Sequence, residues 1–237
     1  EIARPLIEEL KLKFSNVNIL VTFFSPSGYE NIKDYKYADF ITYLPIDSSK
    51  NSKKFVKYIN PIIAVFIKND IWSNYIFELK RNNSIIYSIS SKFTESSFYF
   101  RIFGQWFLNR LKMIDFFFVQ DNESKLILNK YSIKNVIESG DSRFTSVINT
   151  LNENKMVLNV EKFIANRECF IAGSVWNRDV KILEESVKES NIKIIIAPHE
   201  ISKRDIIVLE HNFKSSCVKL SCLKEEEDFQ KKILIID

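Results

Sequence analysis

The chain has 237 residues, 46% of them apolar, so it can bury the core of one large domain or two small ones. Its formal net charge of +4 is compatible with an anionic substrate or a phospholipid surface, but is too small to indicate a nucleic-acid-binding protein. Three cysteines without CxxC spacing argue against a disulfide framework and a zinc cluster, and fit a reducing compartment.

Short runs of β-branched and aromatic residues alternate with amphipathic segments in the first part of the chain. These runs predict strands over residues 19–24, 40–44, 62–67, 85–89, 116–120 and 136–139. Strands that alternate with helices indicate βαβ units and a mostly parallel sheet, whose buried strands are nearly continuous apolar runs. The helical segment 48–60 should end before Pro61.

A second series of strands follows a polar segment of weak periodicity. It covers residues 169–172, 193–197, 216–220 and 233–236. We therefore expect an N-terminal domain at 1–151, a linker at 152–167 and the first part of a C-terminal domain at 168–237. The second series is too short for a complete doubly wound domain, so we expect the chain to stop within that domain.

Two strand ends in the first domain carry candidate site residues, because ligands of open α/β sheets bind beyond the carboxyl ends of the strands. The turn 23–30 contains Gly28, one of only four glycines, which suggests a backbone requirement. The alternative is an ordinary strand-to-helix turn. Lys68 and Asp70 directly follow a buried strand; alternatively, Asp70 is the N-cap of a helix that begins near Ile71.

Further candidates follow later strands. Lys92 could steer a phosphate or carboxylate, or be an ordinary solvated lysine. Arg143 lies just before the linker and could bind a phosphate or form an interdomain ion pair. The second domain has two further strand ends, 171–176 and 196–200. His199 could hydrogen-bond a phosphate, and Glu200 could orient it or accept from a ribose hydroxyl; a surface turn with Glu200 at a helix cap is the competing interpretation.

Residues 95–113 predict one helix that is aromatic and basic. Its apolar face either covers the sheet or lies on an anionic membrane surface. No run of about 18 apolar residues predicts a transmembrane helix.

Several common catalytic motifs are missing from the sequence. It has no P-loop, GxGxxG, HExxH or GxSxG motif and no clustered His/Cys ligand set. Nucleoside triphosphate hydrolysis and metalloprotease chemistry are therefore disfavoured. We expect neither a metal ion nor another cofactor.

Seven motifs, taken in order, resemble the 3-deoxy-D-manno-octulosonic acid (Kdo) transferases of lipopolysaccharide synthesis, and the likeness is to the Bacteroidetes branch. They extend over nearly the whole chain, which makes the resemblance more specific than any single motif. The motifs are FFSPSGYE (23–30), YLPID (43–47), FIKNDIW (66–72), FVQD (118–121), GDSRF (140–144), AGSVW (172–176) and APHEI (197–201).

The resemblance implies a GT-B glycosyltransferase with two Rossmann-like domains and no metal ion. The first domain would receive the lipid A precursor, of lipid IVA type, and the second would bind CMP-Kdo, at the cytoplasmic face of the inner membrane. Carried over to this sequence, it places acceptor-binding and donor-binding residues at the motifs. The expected acceptor-binding residues are Ser25, Ser27, Gly28, Lys68 and Lys92, and the expected donor-binding residues are Arg143, Ser174, His199 and Glu200.

The sequence also departs from the family pattern. The family's Ser-x-Gly-Glu-Phe element supplies the proposed general base, and its Glu would lie two positions before Glu1. Asp70 stands where the family has Glu; one methylene less could misplace the carboxylate by about 1 Å and cost on the order of a hundredfold in rate. Lys92 replaces an Arg and loses its bidentate geometry.

The membrane anchor, the first strand and the glycine-rich segments that follow Asp237 in the family would also lie outside this sequence. We therefore expect a segment of a Kdo transferase that is inactive alone, with Asp70 in a supporting catalytic role. The alternatives are a non-catalytic remnant or lipid-binding module, and another GT-B nucleotide-sugar transferase. The expected partners are CMP-Kdo, a lipid A precursor and the inner-membrane surface, and no nucleic acid polymer.

Overall fold

The computed structural model describes residues 2–30, 32, 34–101, 104–152, 157–189 and 192–237, with only the backbone described at 27, 146, 149 and 186–189. The chain divides into two compact units, Glu1–Glu153 and Asn154–Asp237. Each unit is an α/β structure whose described strands pair in parallel. The longest described helices have 11 residues, and none in the described part of the chain is long and apolar enough to cross a bilayer.

The first unit alternates strands and helices as the sequence predicts. Its strands are β1 (Leu20–Phe23), β2 (Phe40–Tyr43), β3 (Ile63–Ile67), β4 (Ile85–Ser91), β5 (Phe116–Val119) and β6 (Val136–Glu138). Its helices are α1 (Arg4–Lys13), α2 (Pro26–Glu30), α3 (Ser49–Ile59), α4 (Ser73–Arg81), α5 (Gln105–Leu111), α6 (Asn122–Lys130) and α7 (Ser142–Asn152).

The strands of the first unit form two sheets. β1 pairs with β2, and the larger sheet has the order β3-β4-β5-β6. The core lies where α4, α5 and α6 cover the larger sheet, with Ile76, Ile86, Leu111, Phe117 and Leu128 fully buried. Because the carboxyl ends of parallel strands lie at one edge of their sheet, the segments that follow β3, β4, β5 and β6 come together there.

The predicted stop of the third helix is confirmed. The Ser48 hydroxyl caps α3 by accepting from the Asn51 amide at 3.3 Å. At the other end Asn60 adopts a left-handed conformation (φ 48°), and Pro61 follows, which cannot continue a helix.

The prediction of one continuous helix over 95–113 is wrong. The described part of this segment holds a 3-10 turn at Phe98–Phe100 and the separate helix α5, with a bend at Arg101. The Ser97 hydroxyl accepts from the Thr94 amide at 3.0 Å, a local bond that competes with helix formation. The backbone then passes so close to Gly104 that a Cβ there would collide with the Phe98 carbonyl. Glycine is needed for this close approach, which periodicity does not reveal.

The second unit is a smaller α/β layer structure. Its strands β7 (Cys169–Val175), β8 (Lys193–Pro198), β9 (Cys217–Lys219) and β10 (Ile233–Ile235) have the order β7-β8-β10-β9. The helices are α8 (Leu158–Ile164), α9 (Val180–Glu189), α10 (Lys203–Phe213) and α11 (Glu226–Gln230). Apolar residues are buried on both faces of this sheet, among them Ile196 and Phe213 on one face and Phe163 and Leu234 on the other.

The expected linker 152–167 contains α8. Its Phe163 is fully buried against Ile195 and Leu234, so the helical part of this segment contributes to the core of the second unit. The polar residues that suggested a linker are exposed on α8, whereas Val160, Phe163 and Ile164 are buried or half-buried against the sheet.

Candidate functional site

A cavity of about 430 Å³ opens at the carboxyl ends of β7 and β8 in the second unit. Its size suits a nucleotide or a nucleotide sugar. It is lined by Val175, Trp176, Asn177, Arg178, His199, Glu200 and Asp205. Two predicted residues, His199 and Glu200, are therefore part of one pocket.

A β-bulge brings the third predicted donor-binding residue to the same place. The register of β7 against β8 shifts between Gly173 and Val175, and Ser174 has a left-handed backbone with φ 58°. A bulge of this kind re-aims a side chain. The Ser174 hydroxyl is 2.6 Å from Nδ1 of His199.

Trp176 stacks against one face of the His199 imidazole. The two rings stack with centroids 4.0 Å apart and planes 22° from parallel. The Trp176 amide donates to the Asp179 carboxylate at 2.9 Å, which fixes the backbone under the indole. The His199 amide donates to the Val175 carbonyl at 3.0 Å, so the imidazole is located by three separate contacts.

Charges of both signs line the rim of this pocket. Arg178 and His199 carry hydrogen-bond donors that suit a phosphate, whereas Glu200 and Asp205 accept from hydroxyl or amino groups. Asp205 is fixed near the start of α10, where its amide donates to the Ser202 hydroxyl at 3.1 Å. The side-chain amide of Asn177 donates to the Asp205 carboxylate at 3.4 Å. Such a mixed rim can bind a phosphorylated and hydroxylated ligand.

In the first unit, Arg143 is paired with a neighbouring carboxylate. Its Nε donates to Asp141 at 2.9 Å and its backbone amide does so at 3.0 Å. The hydrogen bond from Arg143 is the main cause that lowers the pKa of Asp141, and the nearby Lys68 cation adds to it. Gly140, with φ 77°, lets the chain turn into α7 here.

Lys68 lies directly after β3, where its left-handed backbone (φ 54°) donates to the Ile89 carbonyl at 2.9 Å. The next residue, Asn69, joins the ends of β3 and β4: its side chain donates to the Lys92 carbonyl at 2.7 Å and accepts from the Lys92 amide at 3.1 Å. Sequence analysis did not predict this connection.

The Lys92 side chain forms an ion pair. Its Nζ is 3.0 Å from Asp121, whose other oxygen caps α6 by accepting from the Ser124 amide at 2.9 Å. The hydrogen bonds from Ser124, followed by the contact with Lys92, lower the pKa of Asp121. Lys92 remains 55% exposed, so one side of its ammonium group stays open to solvent.

Asp70 is exposed and does not cap a helix, so this alternative is wrong. α4 begins at Ser73, and the Asn74 amide at its start donates instead to Asp47 at 3.2 Å. Asp47 could have been found from the sequence, because it follows the strand at 40–43 and ends the motif YLPID (43–47). Burial raises the pKa of the Tyr99 hydroxyl, and the nearby Asp70 charge raises it further.

The turn after β1 leads into the short helix α2. Gly28 lies in α2, where a Cβ would be 2.6 Å from Cδ1 of Phe23; the requirement for glycine is close packing against that ring. Ser25 is exposed at the start of the turn, and the side chain of Ser27 lies outside the described part. The ring centroid of Phe24 is 4.7 Å from that of Trp72, so this turn adjoins the segment that carries Asp70.

Comparison with protein families decides the relationship. Residues 1–146, more than half of the chain, match the family described as 3-deoxy-D-manno-octulosonic-acid transferase (kdotransferase). The chain belongs to the Kdo transferase family. The predicted family is thereby confirmed, and the first unit is the part that carries the match.

Individual relatives extend the likeness into the second unit. The chain is 28% identical to a bifunctional glycosyltransferase/methyltransferase of Fusobacterium nucleatum, with 98% of this chain and 38% of the relative covered. It is 26% identical to a 3-deoxy-D-manno-octulosonic acid transferase of Chlamydophila psittaci, with 84% of this chain and 48% of that protein covered. The chain thus spans half or less of the length of these curated relatives.

Solved structures confirm the predicted GT-B type of fold. A UDP-GlcNAc 2-epimerase from Neisseria meningitidis bound to UDP-GlcNAc aligns with a TM-score of 0.62 and 12% identity, covering 100% of this chain and 68% of that one. A complex of S. aureus MnaA with UDP aligns with the same TM-score of 0.62 and 10% identity, covering 100% of this chain and 64% of that one. At such low identity the likeness concerns the fold alone.

Three pocket residues, Asn177, Arg178 and Asp205, had no predicted role. Asn177 and Arg178 directly follow the motif AGSVW (172–176), whose last residue is Trp176, so extending that motif beyond the strand would have found them. Asp205 lies in another segment, near the start of α10, and only the fold brings it to the pocket.

Proposed function

We propose that this protein transfers Kdo from CMP-Kdo to a lipid A precursor of lipid IVA type in lipopolysaccharide synthesis. The observation that carries the proposal is the match of residues 1–146 to the Kdo transferase family, in a chain whose second unit has a nucleotide-sized pocket at its strand ends. The second unit binds the donor and the first unit binds the acceptor. The proposed site of action is the cytoplasmic face of the bacterial inner membrane.

The donor is held by complementary charges in the pocket of the second unit. CMP-Kdo carries a phosphate and the carboxylate of Kdo, which pair with the Arg178 guanidinium and an N–H of His199. Glu200 and Asp205 accept hydrogen bonds from the ribose hydroxyls or the cytosine amino group. This division of roles supports the prediction that Ser174, His199 and Glu200 belong to the donor site. The expectation that Arg143 of the first unit contributes to donor binding stays a prediction.

The acceptor meets the strand ends of the first unit. A lipid A precursor is a phosphorylated sugar, and Lys68 and the open side of Lys92 supply cations for it. The turn with Ser25, Ser27 and Gly28 forms a wall beside these residues, next to the Phe24–Trp72 ring pair.

In the transfer step, a hydroxyl oxygen of the acceptor forms a bond to the anomeric carbon of Kdo and gives up its proton to water, while the bond from that carbon to the CMP phosphate oxygen breaks. Negative charge then accumulates on the departing phosphate, which Arg178 and His199 stabilise. The exposed Asp70 carboxylate supports the reaction by orienting acceptor hydroxyls.

The membrane role is proposed for one surface of the first unit, which we name the aromatic-basic surface and define by Phe98, Arg101, Trp106 and Lys112. Phe98 is 50% and Trp106 48% exposed, and both cations of the same segment are exposed too. Aromatic rings with nearby cations suit the interface of an anionic bilayer. A protein held there meets its lipid acceptor at the membrane surface.

Calorimetric titration of the protein with CMP, CMP-Kdo and UDP-GlcNAc tests the donor assignment. We expect binding of the two cytidine ligands, and at least tenfold weaker binding in a His199→Ala variant, since a hydrogen bond to a charged group contributes about 1.5–3 kcal/mol. His211→Ala is the matched control, because His211 is the second histidine of the unit and lies exposed on α10. Preference for UDP-GlcNAc, or equal affinities in the two variants, would reject the assignment.

A further inference from the structure

We propose that Ser174 is a positioning residue for the donor pocket. Its hydroxyl donates to Nδ1 of His199 and holds the neutral imidazole in the tautomer whose Nε2–H donates to a phosphate oxygen of the ligand. The identity of that ligand rests on the proposed function, which this inference deepens. In this tautomer His199 acts as a hydrogen-bond donor and not as a general base.

The backbone conformation at Ser174 directs its side chain towards His199. A residue with a side chain seldom adopts φ 58°, and such strain persists only where the surroundings enforce it. Here it coincides with the register shift of β7 between Gly173 and Val175. The bulge turns the side chain of Ser174 to the strand edge, 2.6 Å from the imidazole.

Two further contacts keep the ring from turning over. Trp176 covers one face of the imidazole at 4.0 Å, and the His199 amide is bound to the Val175 carbonyl at 3.0 Å. A half-turn of the ring about its Cβ–Cγ bond would put Cδ2 in the place of Nδ1 and break the contact with Ser174. Because Nδ1 is engaged, Nε2 is the nitrogen through which His199 meets a ligand in the pocket.

The charge of the lining determines the direction of the Ser174–His199 bond. Glu200 and Asp205 bring two negatively charged acceptors to the pocket, so an anionic ligand needs every donor of the lining, and His199 adds one to those of Arg178 and Asn177 only if its free nitrogen carries a proton. An Nδ1–H that donated to Ser174 would leave a lone pair at Nε2, which repels a phosphate oxygen. A serine hydroxyl that donates to Nδ1 puts the proton on Nε2, where the phosphate needs it.

Nitrogen NMR of the imidazole tests the tautomer without any ligand. At a pH of about 8.5, where an ordinary imidazole is neutral, we expect His199 to have a protonated Nε2 and an unprotonated Nδ1. The chain has two histidines, so a His211→Gln variant leaves the signals of His199 alone. In Ser174→Gly we expect a mixture of tautomers. A protonated Nδ1 in the wild type, or an unchanged tautomer in Ser174→Gly, would overturn the proposal.

Glycine is chosen because it removes the hydroxyl and relieves the left-handed strain at the same time. The melting temperature of Ser174→Gly should therefore equal or exceed that of the wild type, which separates positioning from a structural role. CMP should bind this variant about five- to tenfold more weakly, by the usual worth of one hydrogen bond. A Ser174→Ala variant, which keeps the strain, should show the same tautomer change.

The two proposals fail in different ways. If wild-type His199 has the expected tautomer and CMP does not bind, the assignment of the donor is wrong while the positioning by Ser174 stands. If CMP binds the wild type and Ser174→Gly with equal affinity, the positioning is wrong while the donor assignment stands.

Discussion

Replacing Asp121 by alanine should destabilise the first unit by about 1–2 kcal/mol. One carboxylate oxygen caps α6 at 2.9 Å from the Ser124 amide, and loss of such a cap costs about 1 kcal/mol. The other oxygen is 3.0 Å from Nζ of Lys92, an ion pair worth about 0–1 kcal/mol because Lys92 is 55% exposed. The measurement is urea-induced unfolding, followed by fluorescence.

Asp121→Asn is the matched control, since asparagine caps a helix about as well as aspartate but cannot form the ion pair. We expect it to lose less than about 1 kcal/mol. The pKa of Asp121 lies below its usual 3.8 in the folded protein, first through the hydrogen bonds from Ser124 and then through Lys92. Its stabilisation is therefore complete above that value and is lost as the pH falls through the folded pKa. The reasoning would be refuted if both variants lost the same free energy of unfolding. It would also be refuted if the difference in unfolding free energy between Asp121→Ala and the wild type persisted at acid pH.

Four other substitutions test features of the fold. Gly28→Ala adds a Cβ 2.6 Å from the Phe23 ring and should lower stability by about 1 kcal/mol in thermal melting, because overpacking outweighs the gain in helix propensity; a more stable variant would contradict this. Asp47→Ala removes the acceptor at the start of α4 (3.2 Å) and should cost about 1 kcal/mol, whereas Asp70→Ala should stay within about 0.5 kcal/mol; the reverse order in urea unfolding would restore Asp70 as the cap. Burial lowers the pKa of Lys193 from its ordinary 10.5, so the second unit should gain stability as the pH rises towards that value. Lys193→Met should abolish this gain in stability, which is measured by urea denaturation at a series of alkaline pH values.

The positions of the strands along the chain could be predicted because buried parallel strands are nearly continuous apolar runs in the sequence. The run 62–67 predicted β3, observed at Ile63–Ile67, and the run 193–197 predicted β8, observed at Lys193–Pro198. The helix predicted over 95–113 failed because its apolar periodicity hides a turn at Phe98–Phe100, made by local hydroxyl groups and by a close backbone approach at Gly104.

The candidate site was only partly predictable. His199 and Glu200 follow β8, and they could be predicted as pocket residues because ligands bind at the carboxyl ends of such strands. The bulge that turns Ser174 to His199 depends on the register of β7 against β8, which the sequence does not contain. The stacking of Trp176 likewise depends on the two strand ends being neighbours.

Transfer of Kdo by the natural full-length protein is the most direct test of the proposed function. The protein is incubated with CMP-Kdo and a lipid IVA acceptor in vesicles that contain anionic phospholipid, and the masses of the products are measured by mass spectrometry. We predict an acceptor heavier by Kdo, one CMP released for each Kdo transferred, and loss of the product in His199→Ala with retention in His211→Ala. Absence of Kdo transfer, together with transfer of a sugar from a different nucleotide by the same preparation, would contradict the account.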